Sequence, residues 1–133
     1  MAVELVRVPE LLAGVPYSYA ARAAGPDLVF TAGACPLDQE GRVVAPGDVS
    51  AQARLCPENL RAALREAGAV IGDVVKTTVF VAGADRADLV AAWGEVAAFF
   101  GGHDAPSTLL GVTVLGYPGQ PVEIEAIAAT SAG

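Results

Sequence analysis

The spacing of apolar positions changes along the chain, and each change marks an element. Val3 to Val8, Val-Glu-Leu-Val-Arg-Val, is β-rich and ends at Pro9, which predicts an edge strand. Residues 16–22, Pro-Tyr-Ser-Tyr-Ala-Ala-Arg, follow a Gly-Val-Pro turn and predict a second extended stretch. After the turn signal Gly25-Pro26-Asp27, the run Leu28 to Ala34 is apolar throughout, as for a strand covered on both faces. Gly33 within it marks either a bulge or the close approach of another backbone or a ligand. Asp38 to Asp48 is polar and turn-rich and reads as a loop.

From Ser50 to Ala67 the apolar positions Ala53, Cys56, Leu60, Ala63, Leu64 and Ala67 recur at helical spacing, with Ser50 placed to cap the start and Gly68 to stop the helix. Pro57 lacks a backbone donor and crowds the preceding turn, at about 3 kcal/mol in a helix interior, so the helix kinks there or begins again with Pro57 in its first turn. Val74 to Val81 alternates Val75, Thr77, Val79 and Val81 against Val74, Lys76, Thr78 and Phe80 and predicts the central strand. Asp85 caps a second helix to Phe100, with Leu89, Trp93, Val96 and Phe100 on one stripe and Gly101-Gly102 as its stop. Between Pro106 and Ala129 two strand-like runs flank the turn cluster Gly116-Tyr117-Pro118-Gly119-Gln120-Pro121, which predicts a hairpin. In its second run Val122, Ile124 and Ala126 share one face and Glu123, Glu125 and Ile127 the other. Two carboxylates thus share a face of an apolar strand, where solvent is their ordinary surrounding.

The order of elements predicts one α/β (α+β) domain over residues 1–133, with a right-handed strand-helix-strand crossover and two helices on one face of a mixed sheet. The other face of the sheet is left uncovered. Composition says what should cover it. Hydrophobic residues make up 53% of the chain and charged ones 17%, with a mean hydropathy of +0.48, more apolar than a small soluble domain requires. No apolar run reaches the length of a membrane span and no signal peptide is evident. The expectation is a cytoplasmic homo-oligomer without a membrane partner. A net charge of −7 repels phosphate backbones, so nucleic acid is not an expected partner either.

No Gly-rich phosphate loop, zinc spacing, nucleophile elbow or dinucleotide fingerprint is present, and neither a metal nor a cofactor is expected. Cys35 and Cys56 read as free thiols. His103 is the only histidine and lies in the loop Gly101-Gly102-His103-Asp104, more in keeping with a solvated loop residue than a catalytic base. Cys35 fits a small buried hydrophobe better than a nucleophile, and Trp93, on a helical stripe, fits the core.

Several stretches, taken in order, carry more. They are Pro16-Tyr17-Ser18, Leu28 to Gly33, Gly47-Asp48 with Gln52 and Asn59-Leu60, Ala67-Gly68-Ala69, Asp73-Val74-Val75-Lys76-Thr77-Thr78-Val79-Phe80, and Val122-Glu123-Ile124-Glu125-Ala126-Ile127-Ala128. Over about Pro16 to Ala129 the chain resembles the RidA family, also called YjgF-like or L-PSP proteins. The resemblance implies a chorismate-mutase-like fold, a homotrimer packed through its sheets, and small-molecule pockets at the subunit interfaces. It implies hydrolysis of reactive imines and enamines, with a glutamate that orients the water matching Glu123 and a pocket tyrosine matching Tyr17. The family's arginine, which clamps a substrate carboxylate, has its slot at Pro106 or Ser107, and no arginine follows Arg86. The pocket serine is matched by Ala32, and the asparagine of the second helix by Trp93 or Gly94.

Without that cation, a carboxylate substrate would be repelled by Glu123. The expected substrate is a small neutral or cationic imine, enamine or carbonyl compound, in a pocket walled by Tyr17, Cys35, Trp93 and the Leu109 region, beside Gly33. Glu123 would act as general base through one water, and backbone N–H groups near Ser107 and Thr108, which follow Pro106 in the pocket wall, would hold a polar atom. The alternative is a non-catalytic trimeric ligand-binding or chaperone-like protein. An endoribonuclease or translation inhibitor ranks third because of the charge.

Overall fold

A computed structural model describes residues 3–25 and 27–130; Pro26, in the middle of the turn expected at 25–27, lies outside them. The strands are β1 (Val3–Val6), β2 (Ala20–Ala23), β3 (Asp27–Phe30), β4 (Val74–Ala82), β5 (Ser107–Val112) and β6 (Val122–Thr130). The helices are α1 (Val49–Glu66) and α2 (Arg86–Phe100), and a single 3-10 turn, Ile71–Asp73, leads into β4. Rich in β-branched residues, β4 takes the centre of the sheet. β5 pairs with it in parallel from Thr77↔Ser107 to Ala82↔Val112, and β6 pairs antiparallel on its other side from Val74↔Ala128 to Val81↔Val122. β3 adds antiparallel to β6, giving the order β3-β6-β4-β5, while β1 and β2 pair with each other.

The hairpin expected within 106–129 is therefore not formed, because β4 lies between β5 and β6. α2 brings the chain back parallel to β4, as a crossover does, so β5 takes one edge of β4 and residues 113–121 carry the chain past the end of β4 to its other edge. Both ends of this connection are pinned there. Gly83 N–H donates to Val112 O at 3.2 Å and Ala82 N–H to Pro121 O at 2.8 Å.

Both helices pack on one face of this mixed sheet, as expected. α1 buries Ala53, Cys56, Leu60 and Leu64, and α2 buries Ala92 and Val96, against Val79, Val81, Val122 and Ile124. α1 begins at Val49, capped by Asp48, whose Oδ1 accepts from Ala51 N–H at 3.0 Å; Ser50 lies inside the helix. The helix runs unbroken through Pro57, whose ring is buried. At its end Gly68 takes φ +84, so that its own N–H meets Arg65 O and Ala69 N–H meets Leu64 O, a glycine stop of the Schellman type. α2 runs as expected from the Asp85 cap to Gly101, at φ +60.

Two departures concern which way side chains face. Val74, Thr77, Val79 and Val81 are buried, whereas the alternation expected Val75 with Thr77. An irregularity in pairing between Val74 and Lys76 turns Val75 out of phase, and it packs with Val3 and Ala129. β3, expected to be covered on both faces, is covered on one. Val29 packs on the core, but Leu28 is 55% and Phe30 68% exposed. They belong to the sheet face away from the helices, with Ile127, Glu125, Glu123, Phe80 and the exposed Leu110. Among the described residues no helix is long and apolar enough to cross a membrane.

Cys56, fully buried on α1, donates from Sγ to Val122 O at 3.5 Å. Burial pushes its thiol up from 9.0 to about 12, and the nearby Cys35 and Glu123 add to the effect. The unfolded thiol ionises near 9.0 and the folded one near 12. The resulting stabilisation is whole below the first value and lost through the second, up to about 4 kcal/mol at about 1.4 kcal/mol per pH unit. Urea unfolding of wild type and Cys56→Ala at a series of alkaline pH values should show the stability gap between them narrowing as pH rises. A gap independent of pH would refute the assignment.

Candidate functional site

With Val122 and Ile124 buried beneath the helices, Glu123 turns to the open face, opposite Phe80. Beyond β3 the chain continues beside β6. Ala34 N–H donates to Ile124 O at 2.6 Å and Ile124 N–H to Ala34 O at 3.2 Å, which sets Gly33 and Cys35, on either side of Ala34, on the face that carries Glu123. There Cys35 Sγ donates to Glu123 Oε1 at 3.3 Å and Gln120 Nε2 to the same oxygen at 3.1 Å. Gly33 is needed because the carboxylate fills the place of a side chain: a Cβ there would stand 1.9 Å from Glu123 Oε2. Asn59 of α1 holds the loop from below, its Nδ2 donating to Cys35 O at 2.8 Å and Leu37 O at 3.3 Å. Burial raises the Cys35 thiol above its ordinary 9.0, and the hydrogen bond to Glu123 and that residue's charge raise it further. Cys35 is thus a protonated donor near neutral pH, the opposite of an activated nucleophile.

Tyr17, Trp93, Ser107 and Leu109 line a separate cavity of about 320 Å³. Ser107 and Leu109 pair with the buried Thr77 and Val79, so they point to the helix side of the sheet. Trp93 comes from α2, and its ring meets Tyr17 edge-on with centroids 6.5 Å apart. Tyr17 is held in place by its neighbours. Arg7 donates to Tyr17 O and pairs with Asp104 Oδ2 at 2.7 Å, while Ser18 N–H donates to Asp104 O at 2.8 Å. Pro106 anchors the start of β5, its carbonyl accepting from Thr77 N–H at 3.0 Å. The Ser107 hydroxyl is occupied by Thr77 Oγ1 and Ala105 O. Thr108 points to the opposite, open face and accepts from Lys76 Nζ at 2.6 Å. His103 sits half-buried with Nε2 2.7 Å from Val74 O, which makes that nitrogen a donor and the residue a strut between loop and strand.

Within one chain the candidate residues therefore fall into two groups on opposite faces of the sheet. Gly33, Cys35 and Glu123 lie on the open face, and Tyr17, Trp93 and Ser107 surround the cavity on the other. Gln120 belongs to the first group and was legible only as a turn residue. Its one signal is a carboxamide among Gly and Pro, three positions before Glu123.

Comparison with known proteins agrees with this architecture. The family model described as Endoribonuclease L-PSP matches residues 9–130. The 2-iminobutanoate/2-iminopropanoate deaminase of Salmonella typhimurium is 45% identical over 78 residues, a match covering 59% of this chain and 59% of that protein. The crystal structure of YyfB of Yersinia pestis, a Rid-family protein, superposes with a TM-score of 0.91 at 30% identity, over 98% of this chain and all of that one. TdcF of E. coli, crystallised with bound serine, gives a TM-score of 0.68 at 32% identity over 96% and 99% of the two chains. The matched residues, the mixed sheet under two helices and these likenesses identify the chain as a member of the endoribonuclease L-PSP family, the RidA or YjgF-like proteins.

Proposed function

We propose that the protein is a hydrolase of small reactive imines and enamines that carry no carboxylate, acting at sites shared between the subunits of a homotrimer. The observation that carries this reading is the state of Glu123. One carboxylate oxygen is held by two donors, the other lies free over Gly33, and no Lys or Arg pairs with it among the described residues. Lys76, on the same face, stands four residues along β4 from the partner of Glu123, roughly 13 Å at about 3.3 Å per residue. One small substrate does not span both. A carboxylate ligand would meet Glu123 without a counter-charge, whereas a protonated imine would be attracted to it. The name of a relative supports the reaction class alone: the Salmonella protein is a 2-iminobutanoate/2-iminopropanoate deaminase.

In the proposed reaction Glu123 Oε2 takes a proton from water as the oxygen adds to the imine carbon. The proton passes to nitrogen, the C–N bond of the carbinolamine breaks as its hydroxyl gives its proton to the freed Glu123 carboxylate, and a carbonyl compound and ammonia leave, the ammonia carrying that proton away as ammonium. A neighbour's Tyr17 and Trp93 would wall the apolar part of the substrate. Imines generated in place by an amine oxidase, without a carboxylate, should be hydrolysed faster than background, and those from an amino-acid oxidase should not. Glu123→Gln should lower the rate by about 100-fold or more with the assembly intact by light scattering. No acceleration of any imine overturns the enzyme reading, and a preference for the carboxylate imines overturns the substrate class.

A further inference from the structure

We propose that Gln120 and Cys35 are the positioning residues of this site: their two donors converge on Glu123 Oε1, lay the carboxylate across Gly33, and leave Oε2 as the oxygen that meets the water. The inference rests on the reading of Glu123 as the base. Its own support is geometric. Gln120 is only 4% exposed, and every polar atom of its amide is used: Oε1 accepts from Tyr117 N–H at 3.1 Å, and Nε2 donates to Val122 O and Glu123 Oε1, each at 3.1 Å. The Tyr117 N–H must meet an acceptor, so the amide has one orientation and the NH₂ group has to face the carboxylate. The connection 113–121 that replaces the expected hairpin thus delivers a fixed donor to the base. Cys35 has a single S–H and two acceptors within reach, Gly33 O at 3.6 Å and Glu123 Oε1 at 3.3 Å. The shorter, charged one is the stronger partner.

Loss of either donor would free the carboxylate to rotate away from the place where Oε2 meets the water. Gln120→Leu and Cys35→Ala should each lower kcat by roughly tenfold with KM little changed. Cys35→Ser, which keeps a donor at the same place, should restore most of the loss. Unchanged kcat in both Gln120→Leu and Cys35→Ala would overturn the assignment. A second measurement needs no turnover. If the thiol donates to Glu123, then Glu123→Gln should raise the rate of Cys35 alkylation by iodoacetamide near pH 8 at least roughly twofold, followed by mass spectrometry of the Cys35 peptide. Equal rates in wild type and Glu123→Gln would overturn the contact. Should the wild type hydrolyse no imine, the proposed reaction falls by itself, and the alkylation rates still decide whether Cys35 donates to Glu123.

Discussion

Gly33→Ala should abolish imine hydrolysis while leaving the protein folded. Gly33 is not among the glycines at positive φ, so its backbone suits alanine and the conflict is one of contact. The added Cβ would stand 1.9 Å from Oε2, 2.5 Å from Cδ and 2.9 Å from Cγ of Glu123, distances that real structures do not hold. The side chain must swing away, since the backbone on either side is fixed by the Ala34–Ile124 bonds. Swinging away breaks the bonds from Gln120 and Cys35 together and moves Oε2 by more than an ångström. A displacement of that size costs at least about 100-fold in rate, and the methyl group also fills the space over which the water would sit. The fold loses little, because Glu123 is only half-buried and is not part of the hydrophobic core; Tm should stay within about 5 °C of wild type. Thermal unfolding with the hydrolysis assay checks both halves. A folded Gly33→Ala protein that turns over at the wild-type rate would show that the carboxylate seen here is not the one that works.

The elements themselves were largely legible, because their signals are local. Asp85 and Gly101 bracket α2 by cap and stop, and the alternation of Val122, Ile124 and Ala126 against Glu123 and Glu125 placed the carboxylates on one face before any pairing was known. Pairing was not legible. A turn-rich connection between two strands reads as a hairpin whether or not a third strand lies between them, and only the parallel crossover through α2 places β4 there. Cover of β3 is not legible for a related reason: an apolar run states that both faces avoid water, and in one chain the helices supply cover for Val29 alone. The site divides in the same way. Tyr17 and Glu123 were each found on local motifs, but the face on which each lies follows from strand order. Gln120 went unseen because its meaning is in its partners, Tyr117, Val122 and Glu123, which only the folded connection assembles.

Phe30→Asp should dissociate the proposed trimer and with it all measurable hydrolysis. Phe30 is 68% exposed in the single chain, in line across the sheet with Ile127 and Lys76, and Leu28 and Leu110 on the same face are also exposed. Each large apolar side chain covered by a neighbour contributes about 1.5–3 kcal/mol, whereas an aspartate left there without a partner costs several kcal/mol to bury. One such substitution per subunit acts at every interface of a closed ring. Activity should fall with assembly because the two halves of the site lie on opposite faces of one sheet: Glu123 on the open face, the Tyr17–Trp93 cavity on the other. No motion short of unfolding brings them together within a chain, so in the proposed reaction a neighbour must present its cavity to Glu123. Light scattering should give a mass three times the 13.4 kDa of the chain for wild type and the chain mass for Phe30→Asp. The Gln120–Glu123–Cys35 contacts are internal to one chain, so the effect of Glu123 on Cys35 alkylation should survive in the monomer. That separates loss of the partner from loss of the base. A monomeric variant with wild-type turnover would place the whole reaction within one subunit, and a wild-type protein that is itself monomeric would remove the shared site altogether.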